Sequence, residues 1–384
     1  MPNPETSSPP SLNVERICDL EGWRRLELEW NELLQDSAAD AVFLCWEWLD
    51  TWLEVYGDSG EWVILTARNE RGQLLGVAPM MLDRGEGVPS RWVRRLTLLG
   101  QKADTASEYL DWILRRGSEV MVVEAFGGFI FSNLSRFWDV LQFDCMRADA
   151  ESIPLIEAMF KRRNASFKVA RLTSAPFVSL PPSWDVFLAE SSRSFRQRWA
   201  KFLRESPVVV RFAGADLTVP EGMKIIRKLN ESRWGDRRQS FLSERYVRFH
   251  DLVAPRLHEK GSLLMLFFEV NGEIVAGRYD FAYGGKGWCF QGGWLPEWAK
   301  VSIGKMMLAE AMRQCILMGA KEYDFLGGEA SYKEGWSDGR RELVCLSSVN
   351  PSSWRGPIFS WLREIRQRYR NHKTAQKHNQ PSQE

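Results

Sequence analysis

Apolar positions along this chain alternate between helical and strand-like spacing, and the cycle runs twice. Around Phe43–Tyr56, Leu44, Trp48, Trp52 and Val55 recur at i, i+4, i+8 and i+11, which predicts a helix with one apolar stripe. Trp62–Ala67 and Leu74–Leu82 are apolar runs joined by Asn69-Glu70-Arg71-Gly72, a hairpin signal, and Arg94–Leu99 offers a third strand. A helix over Ile153–Arg163 and a strand over Phe167–Leu172 close the first cycle. After Pro181-Pro182, Trp184–Phe202 and Glu221–Trp234 have helical spacing. Leu263–Val270, Glu273–Phe281 and Trp288–Gln291 then spell an antiparallel meander. Its first turn, Asn271-Gly272, favours the type I′ geometry that matches strand twist. Ser302–Met318 reads as a helix closed by Gly319, followed by a strand at Glu322–Leu326 and then Gly327-Gly328.

The cycles rhyme in detail. "WVILTARNERGQLLGVAPMML" from Trp62 and "LLMLFFEVNGEIVAGRYDF" from Leu263 each give a strand, a polar turn and a second strand with a small-residue step. A separation of about 200 residues points to a tandem duplication of one α/β unit, since solenoid repeats have periods of roughly 20–50 residues. Chance likeness between two hairpins is the plainer account.

Composition narrows the setting. A chain of 384 residues with 44% hydrophobic content and 18 Trp can bury large cores and suits two domains. Lys+Arg 51 against Asp+Glu 50 leaves a net charge of +1, so any anion site has to be local. The six cysteines are scattered without a C-x-x-C pair and sit mostly in apolar runs, which suits a reducing compartment. Residues 1–11 are rich in Pro and Ser and lack a signal-peptide pattern, and no apolar run reaches the ~20 residues of a membrane span. A soluble cytoplasmic protein is the expectation.

Three stretches could carry chemistry. Gly304 falls in the first turn of the helix that starts at Ser302, where glycine costs roughly 0.8–1 kcal/mol against Ala. Close approach of another backbone would explain it; so would a phosphate on the free N–H groups, with Lys305 adding charge. "RSFRQRWAKFLR" sets Arg193, Arg196, Arg198, Lys201 and Arg204 around an apolar stripe of Phe195, Trp199 and Phe202. Such a helix is commonly a solvated outer face, and alternatively a clamp on a nucleotide-linked sugar, a lipid phosphate or RNA. From Arg355 to Glu384 the chain is basic, with Ile358, Leu362, Ile365 and Tyr369 on one helical face, which suits a docked terminal helix. The four histidines cluster with no acid and nucleophile, so neither a triad nor a metal set is expected.

Taken in order, the meander, the Ser-Ile-Gly helix start, "YDFLGGEASYK" and Trp336 resemble the GNAT acetyltransferases of the CelD-like family, named for a cellulose-biosynthesis protein. The resemblance extends to "FLCWEWLDTWLEVYG" (Phe43–Gly57), "SSRSFRQRWAKFLRES" (Ser191–Ser206) and "NESRWG" (Asn230–Gly235). More distantly, the arrangement is similar to the Fem-type peptidoglycan aminoacyltransferases, which also pair two GNAT-like units.

The resemblance implies an α/β fold of tandem GNAT-like units of the acyl-CoA N-acyltransferase type, the C-terminal one cofactor-binding. The divisions expected are a flexible leader at 1–11, a degenerate N-terminal unit at 12–178, the acyltransferase unit at 179–350, and a basic helix and tail at 351–384. It implies an acyl group, acetyl foremost, moving from acetyl-CoA or another acyl-CoA to an amine or hydroxyl of a small-molecule or glycan-precursor acceptor, with no metal. Coenzyme A pyrophosphate would lie on the backbone of Val301, Ser302, Ile303, Gly304, Lys305 and Met306. Gly328–Lys333 matches the family's Gly-Asp/Glu-x-x-Tyr-Lys, which implies catalytic roles for Glu329, Tyr332 and Lys333. Asp111, where the family tends to have an acidic loop, and Arg193 and Arg196 are the candidate acceptor contacts.

Two alternatives stay open. A Fem-like transferase would draw on aminoacyl-tRNA, the one setting in which nucleic acid is an expected partner. A non-catalytic polysaccharide-assembly factor would suit the incomplete Q/R-x-x-G-x-G/A signature, which has Ile303 where the family has Pro.

Overall fold

The computed structural model describes residues 12–85, 90–101, 104–105, 107–235, 240–328, 331–363 and 365, apart from the side chains of Ser331 and Tyr332. The apolar runs of both cycles become strands of one sheet: β1 (Asn13–Ile17), β2 (Glu61–Arg68), β3 (Leu74–Arg84), β4 (Arg94–Leu98), β5 (Ile113–Leu114), β6 (Val140–Arg147), β7 (Lys168–Ser179), β8 (Val208–Phe212), β9 (Leu263–Val270), β10 (Glu273–Tyr283), β11 (Lys286–Trp294), β12 (Glu322–Asp324) and β13 (Gly339–Val349). The helices are α1 (Leu20–Arg24), α2 (Glu27–Gln35), α3 (Trp46–Tyr56), α4 (Glu119–Ser132), α5 (Ser152–Arg162), α6 (Trp184–Glu190), α7 (Arg193–Glu205), α8 (Val219–Trp234), α9 (Glu244–Glu259), α10 (Ile303–Leu317) and α11 (Ser331–Glu334).

Local chemistry sets several of these boundaries. Asn271 and Gly272 both have positive φ, 52° and 83°, and turn β9 into β10 as the Asn-Gly pair predicts. Gly319, at φ 80°, follows the last turn of α10. The helix expected over Trp184–Phe202 is two helices, because Ser192 adopts extended backbone and its hydroxyl accepts from Phe195 N at 3.2 Å, capping α7. α3 carries more than its stripe: Trp46, Leu49, Leu53 and Tyr56 are buried along with Trp48, Trp52 and Val55. Packed on several sides, it meets α9 through a Trp48–Phe249 edge contact at 4.9 Å and a 2.7 Å hydrogen bond from Arg256 to Thr51.

The two cycles form matching half-sheets, as tandem GNAT-like units should. Strand order is β1-β2-β3-β4-β6-β13-β7-β12-β11-β10-β9-β8. Each half is an antiparallel meander followed by one parallel pair, β4 with β6 and β11 with β12. The halves then exchange strands. β7, which follows the first half in sequence, pairs with β12 of the second, and β13, from the end of the second, pairs with β6 of the first. β7 and β13 also pair with each other along most of their length, so the sheet is continuous across the junction.

One apolar core runs from Ile17 to Leu346 and takes side chains from both halves, including Phe43, Trp48, Phe249 and Phe281. A second core lies beneath α6, α7 and α10, with Phe195, Trp199 and Phe202 of the basic helix buried in it. The apolar stripe of α7 is therefore packed, and its arginines face outward. Among the described residues, no helix is long and apolar enough to cross a membrane, and no group of three or more His, Cys, Asp or Glu is placed to hold a metal ion.

A terminal helix over 355–363 docks on the β6–β13 face through Phe359, which packs with Val93 and Val140. This differs from the expected face: Ile358 and Ile365 are exposed. Tyr369 lies outside the described residues.

Candidate active site

Parallel strands that stop pairing open a crevice at their C-terminal ends, where ligands bind in open α/β sheets. β11 and β12 pair over Lys286–Trp288 and Glu322–Asp324 and no further, and β11 then runs on to Trp294 beside β10. The opening leads to a cavity of about 240 Å³ lined by Gly292, Gly293 and Trp294 of β11, by Ser302, Ile303, Gly304 and Lys305 at the start of α10, and by Arg233 and Trp336.

The start of α10 has the features of an anion-binding turn. Its first turn contains no acidic residue, and its N-cap Ser302 makes no side-chain capping bond. The first N–H groups of a helix have no intrahelical partner, so those of Ile303 and Gly304 remain for a ligand at the positive end of the helix dipole. Ser302 itself is left-handed, φ 56°, a conformation costly for a residue with a Cβ.

Gly304 is explained by packing, with a side chain and not a backbone as its neighbour. A Cβ there would stand 2.7 Å from the Trp294 ring. The Arg233 guanidinium lies 3.5 Å from the centroid of the same indole. Of the six residues expected to hold pyrophosphate, Ser302, Ile303, Gly304 and Lys305 line the cavity. Met306 is buried in the second core, and Val301 is exposed beside the turn.

A polar cluster joins the halves where β12 ends. The Tyr109 hydroxyl donates to Asp324 Oδ2 at 2.8 Å, and Arg341 donates to the same oxygen at 3.1 Å and to Glu322. Past Asp324 the chain turns at Leu326, φ 59°, and Gly328, φ 108°. Gly327 N donates to Glu108 Oε2 at 2.7 Å, and Lys333 Nζ donates to the carbonyls of Leu326 and Gly327 at 3.1 and 2.7 Å. Tyr109 is also left-handed, φ 55°, so backbone strain flanks the junction on both sides.

Burial drives the titration of this cluster. It pushes the Glu108 carboxyl up to about 7, against the Gly327 N–H, which lowers it; the Asp324 charge raises it further and the Lys333 charge lowers it. Burial also lowers the Lys333 ammonium from its usual range. A carboxylate that titrates near 7 beside a strained loop is suited to accepting a proton at neutral pH.

Sequence reasoning missed Glu108. The acidic loop points to Asp111, three residues further on, and nothing in the spacing distinguishes the two acids. Asp111 opens instead into a neighbouring cavity of about 130 Å³ with Asp40, Arg147 and Ser152, and Tyr109 lines that cavity too. There Asp111 accepts from Trp112 N at 2.7 Å, and burial raises its carboxyl to about 7. Lys333 lies in the cluster, while Glu329 and the side chain of Tyr332 are outside the described residues. Arg193 and Arg196 line neither cavity. Arg196 donates to the carbonyls of Leu188, Ala189 and Ser191, closing the C-terminal end of α6, and Arg193 is exposed.

Residues 189–334 match the family described as acetyltransferase (GNAT) domain. The chain is similar in fold to the crystal structure of FemX, with TM-score 0.62, 12% identity, and 90% of this chain and 99% of that one covered. It is also similar to L-PGS from Bacillus licheniformis, with TM-score 0.51, 12% identity and coverage of 88% and 95%. The C-terminal domain of a putative lysylphosphatidylglycerol synthetase from Agrobacterium fabrum gives TM-score 0.52, 10% identity and the same coverage. No curated protein matches the sequence. The fold is thus that of a GNAT-like acyltransferase, with the GNAT domain in the C-terminal part of the chain.

Proposed function

We propose that the protein transfers an acyl group, acetyl in the simplest case, from an acyl-CoA to an amine or hydroxyl of a small-molecule or glycan-precursor acceptor, in the manner of the CelD-like family. The observation that carries this reading is the cavity between the end of β11 and the acid-free start of α10. On this reading residues 179–350 hold the donor in that cavity, and residues 12–178 shape the acceptor side through Glu108 at the end of β12 and Asp111 in the neighbouring cavity.

The acyl-CoA supplies an activated acyl group as a thioester. The N–H groups of Ile303 and Gly304, with Lys305 and Arg233, bind its pyrophosphate. The edge of β11 from Cys289 to Trp294, which β12 leaves unpaired, offers backbone groups to the pantetheine amides. Glu108, ionised above about pH 7, accepts the proton of the attacking amine. Lys333 spends two of its three donors on the loop carbonyls, fixing the Gly327–Gly328 turn and keeping one N–H for the developing oxyanion. Glu329 and Tyr332 complete the set as further acid–base and donor groups, and Arg193 reaches a charged end of the acceptor. No acyl-enzyme is needed. Cys289 of β11 is buried against Arg278, and burial raises its pKa.

A second reading is favoured by the FemX likeness over 90% of the chain: aminoacyl transfer from a charged tRNA, with the exposed face of α7 meeting phosphate. Calorimetry with acetyl-CoA, longer acyl-CoAs and tRNA separates the two. Acyl-CoA binding that fails in a Lys305→Glu variant supports the first. Salt-sensitive tRNA binding lost on Arg198→Glu and Lys201→Glu, with no acyl-CoA binding, supports the second. Binding of neither leaves a scaffold of polysaccharide assembly.

A further inference from the structure

Most exposed apolar side chains on a soluble protein stand alone, and a contiguous set with a charged rim marks an interaction surface. The helix over 355–363 carries such a set. Trp354, Ile358, Trp361 and Ile365 recur at i, i+4, i+7 and i+11, and all four are exposed, the two indoles by 72% and 61%. The helix is held in place by its other side. Phe359 packs on Val93 and Val140, Ser353 donates to Asp139 at 2.7 Å, and Asn350 donates to the carbonyls of Ser135 and Trp138.

Those anchors bring more apolar surface to the same end. Trp92, 67% exposed, directly precedes Val93, and exposed Phe137 lies between the carbonyl of Ser135 and Asp139. Two exposed indoles thus stand on or beside the docked helix, and Trp92 and Phe137 are sequence neighbours of the residues that anchor it. Charge gathers here as well. Arg355 stands over the Trp354 ring, 5.2 Å from its centroid, and Arg363 at the far end of the helix is exposed. Arg91 and Arg136, beside Trp92 and Phe137, are exposed.

We propose that this end of the molecule docks on an anionic phospholipid bilayer, with the 355–363 helix lying in the plane of the interface. Indole rings favour the water–lipid boundary, and an amphipathic basic helix sinks its apolar face roughly 5–10 Å into the headgroup region. A second copy of the chain is the poorer occupant, because a two-fold contact would set the same cations against each other. An anionic surface meets them with opposite charge.

The test uses the full chain with vesicles of phosphatidylcholine alone and vesicles rich in phosphatidylglycerol, followed by co-sedimentation and tryptophan emission. Binding to the anionic vesicles with a blue shift is expected, weakened at about 1 M salt, where the screening length falls to about 3 Å. A Trp354→Ser, Trp361→Ser double variant should bind at least about tenfold more weakly with an unchanged melting temperature, since both rings are exposed. Equal binding to both vesicle types, or full binding by the variant, overturns the proposal. So does a dimer that the variant splits, accompanied by no vesicle binding, which would assign the patch to a second copy.

Discussion

Glu108 Oε2 and the backbone N–H of Gly327 meet at 2.7 Å across 219 positions of sequence, tying an acid of the first half to the loop that follows β12 of the second. Because this carboxyl titrates at about 7 through burial, a base role gives the acyl-transfer rate a rising limb centred near that pH, with activity lost as pH falls below it. Glu108→Gln keeps the Gly327 contact and removes the base. A fall of about 10²–10⁴-fold in kcat is expected, with acyl-CoA affinity unchanged and the limb near pH 7 gone. A variant that retains both the rate and the limb would move the base elsewhere, with Asp111 and Glu329 next in line.

Gly304 and Trp294 make a packed pair in the wall of the donor cavity. Gly304→Ala drives a Cβ to 2.7 Å from the indole, so it should cost about 1–3 kcal/mol of stability as well as acyl-CoA affinity. Adding Trp294→Ala removes the clash, and the two changes should be non-additive by more than about 0.5 kcal/mol in thermal or denaturant unfolding. Strict additivity would show that the glycine serves the ligand alone.

Arg341 neutralises two acids at the junction, Glu322 and the buried Asp324. Arg341→Met leaves those carboxylates uncompensated and should destabilise by roughly 3–5 kcal/mol. Tyr109→Phe removes one hydrogen bond to Asp324 while Arg341 stays, and should cost only about 1–2 kcal/mol. Urea unfolding of both variants tests the order, and a Tyr109→Phe loss equal to that of Arg341→Met would contradict it.

Asp111 gives a pH signature of its own. Its folded pKa of about 7 lies above the unfolded value of 3.8, so the folded state holds the extra proton between them. Stability from this group is present at low pH and is lost as pH rises towards 7. Asp111→Asn, which can still accept from Trp112 N, should therefore raise the melting temperature more at pH 8 than at pH 5. An equal shift at both values would mean that the carboxyl is not held protonated by burial.

Short-range chemistry carried much of this architecture in the sequence. Asn271-Gly272 specifies its turn through φ alone, Gly319 ends α10 for the same reason, and the two hairpins announce themselves by apolar runs around polar turns. Ser191-Ser192 was legible too, as a cap between α6 and α7, but the apolar stripe across it masked the break. β6 and β13 were not found, because their identity depends on which distant strand completes which half-sheet. The site divided in the same way. Ser302–Lys305 is local and was readable as a helix start. Glu108 becomes chemically distinct only where Gly327 and Lys333 surround it, and no spacing rule connects residues that far apart.

The position of β13 also bears on how the chain is made. β6 and β7 leave the ribosome early, yet the strand that fills the space between them is translated roughly 160 residues after Ser179, about 8–30 s later at roughly 5–20 residues per second. Until then both strands present bare edges to solvent or to a neighbouring nascent chain. Biogenesis of this protein thus includes an obligatory waiting period, in which a holdase chaperone or slow expression at low temperature should determine the yield of folded product.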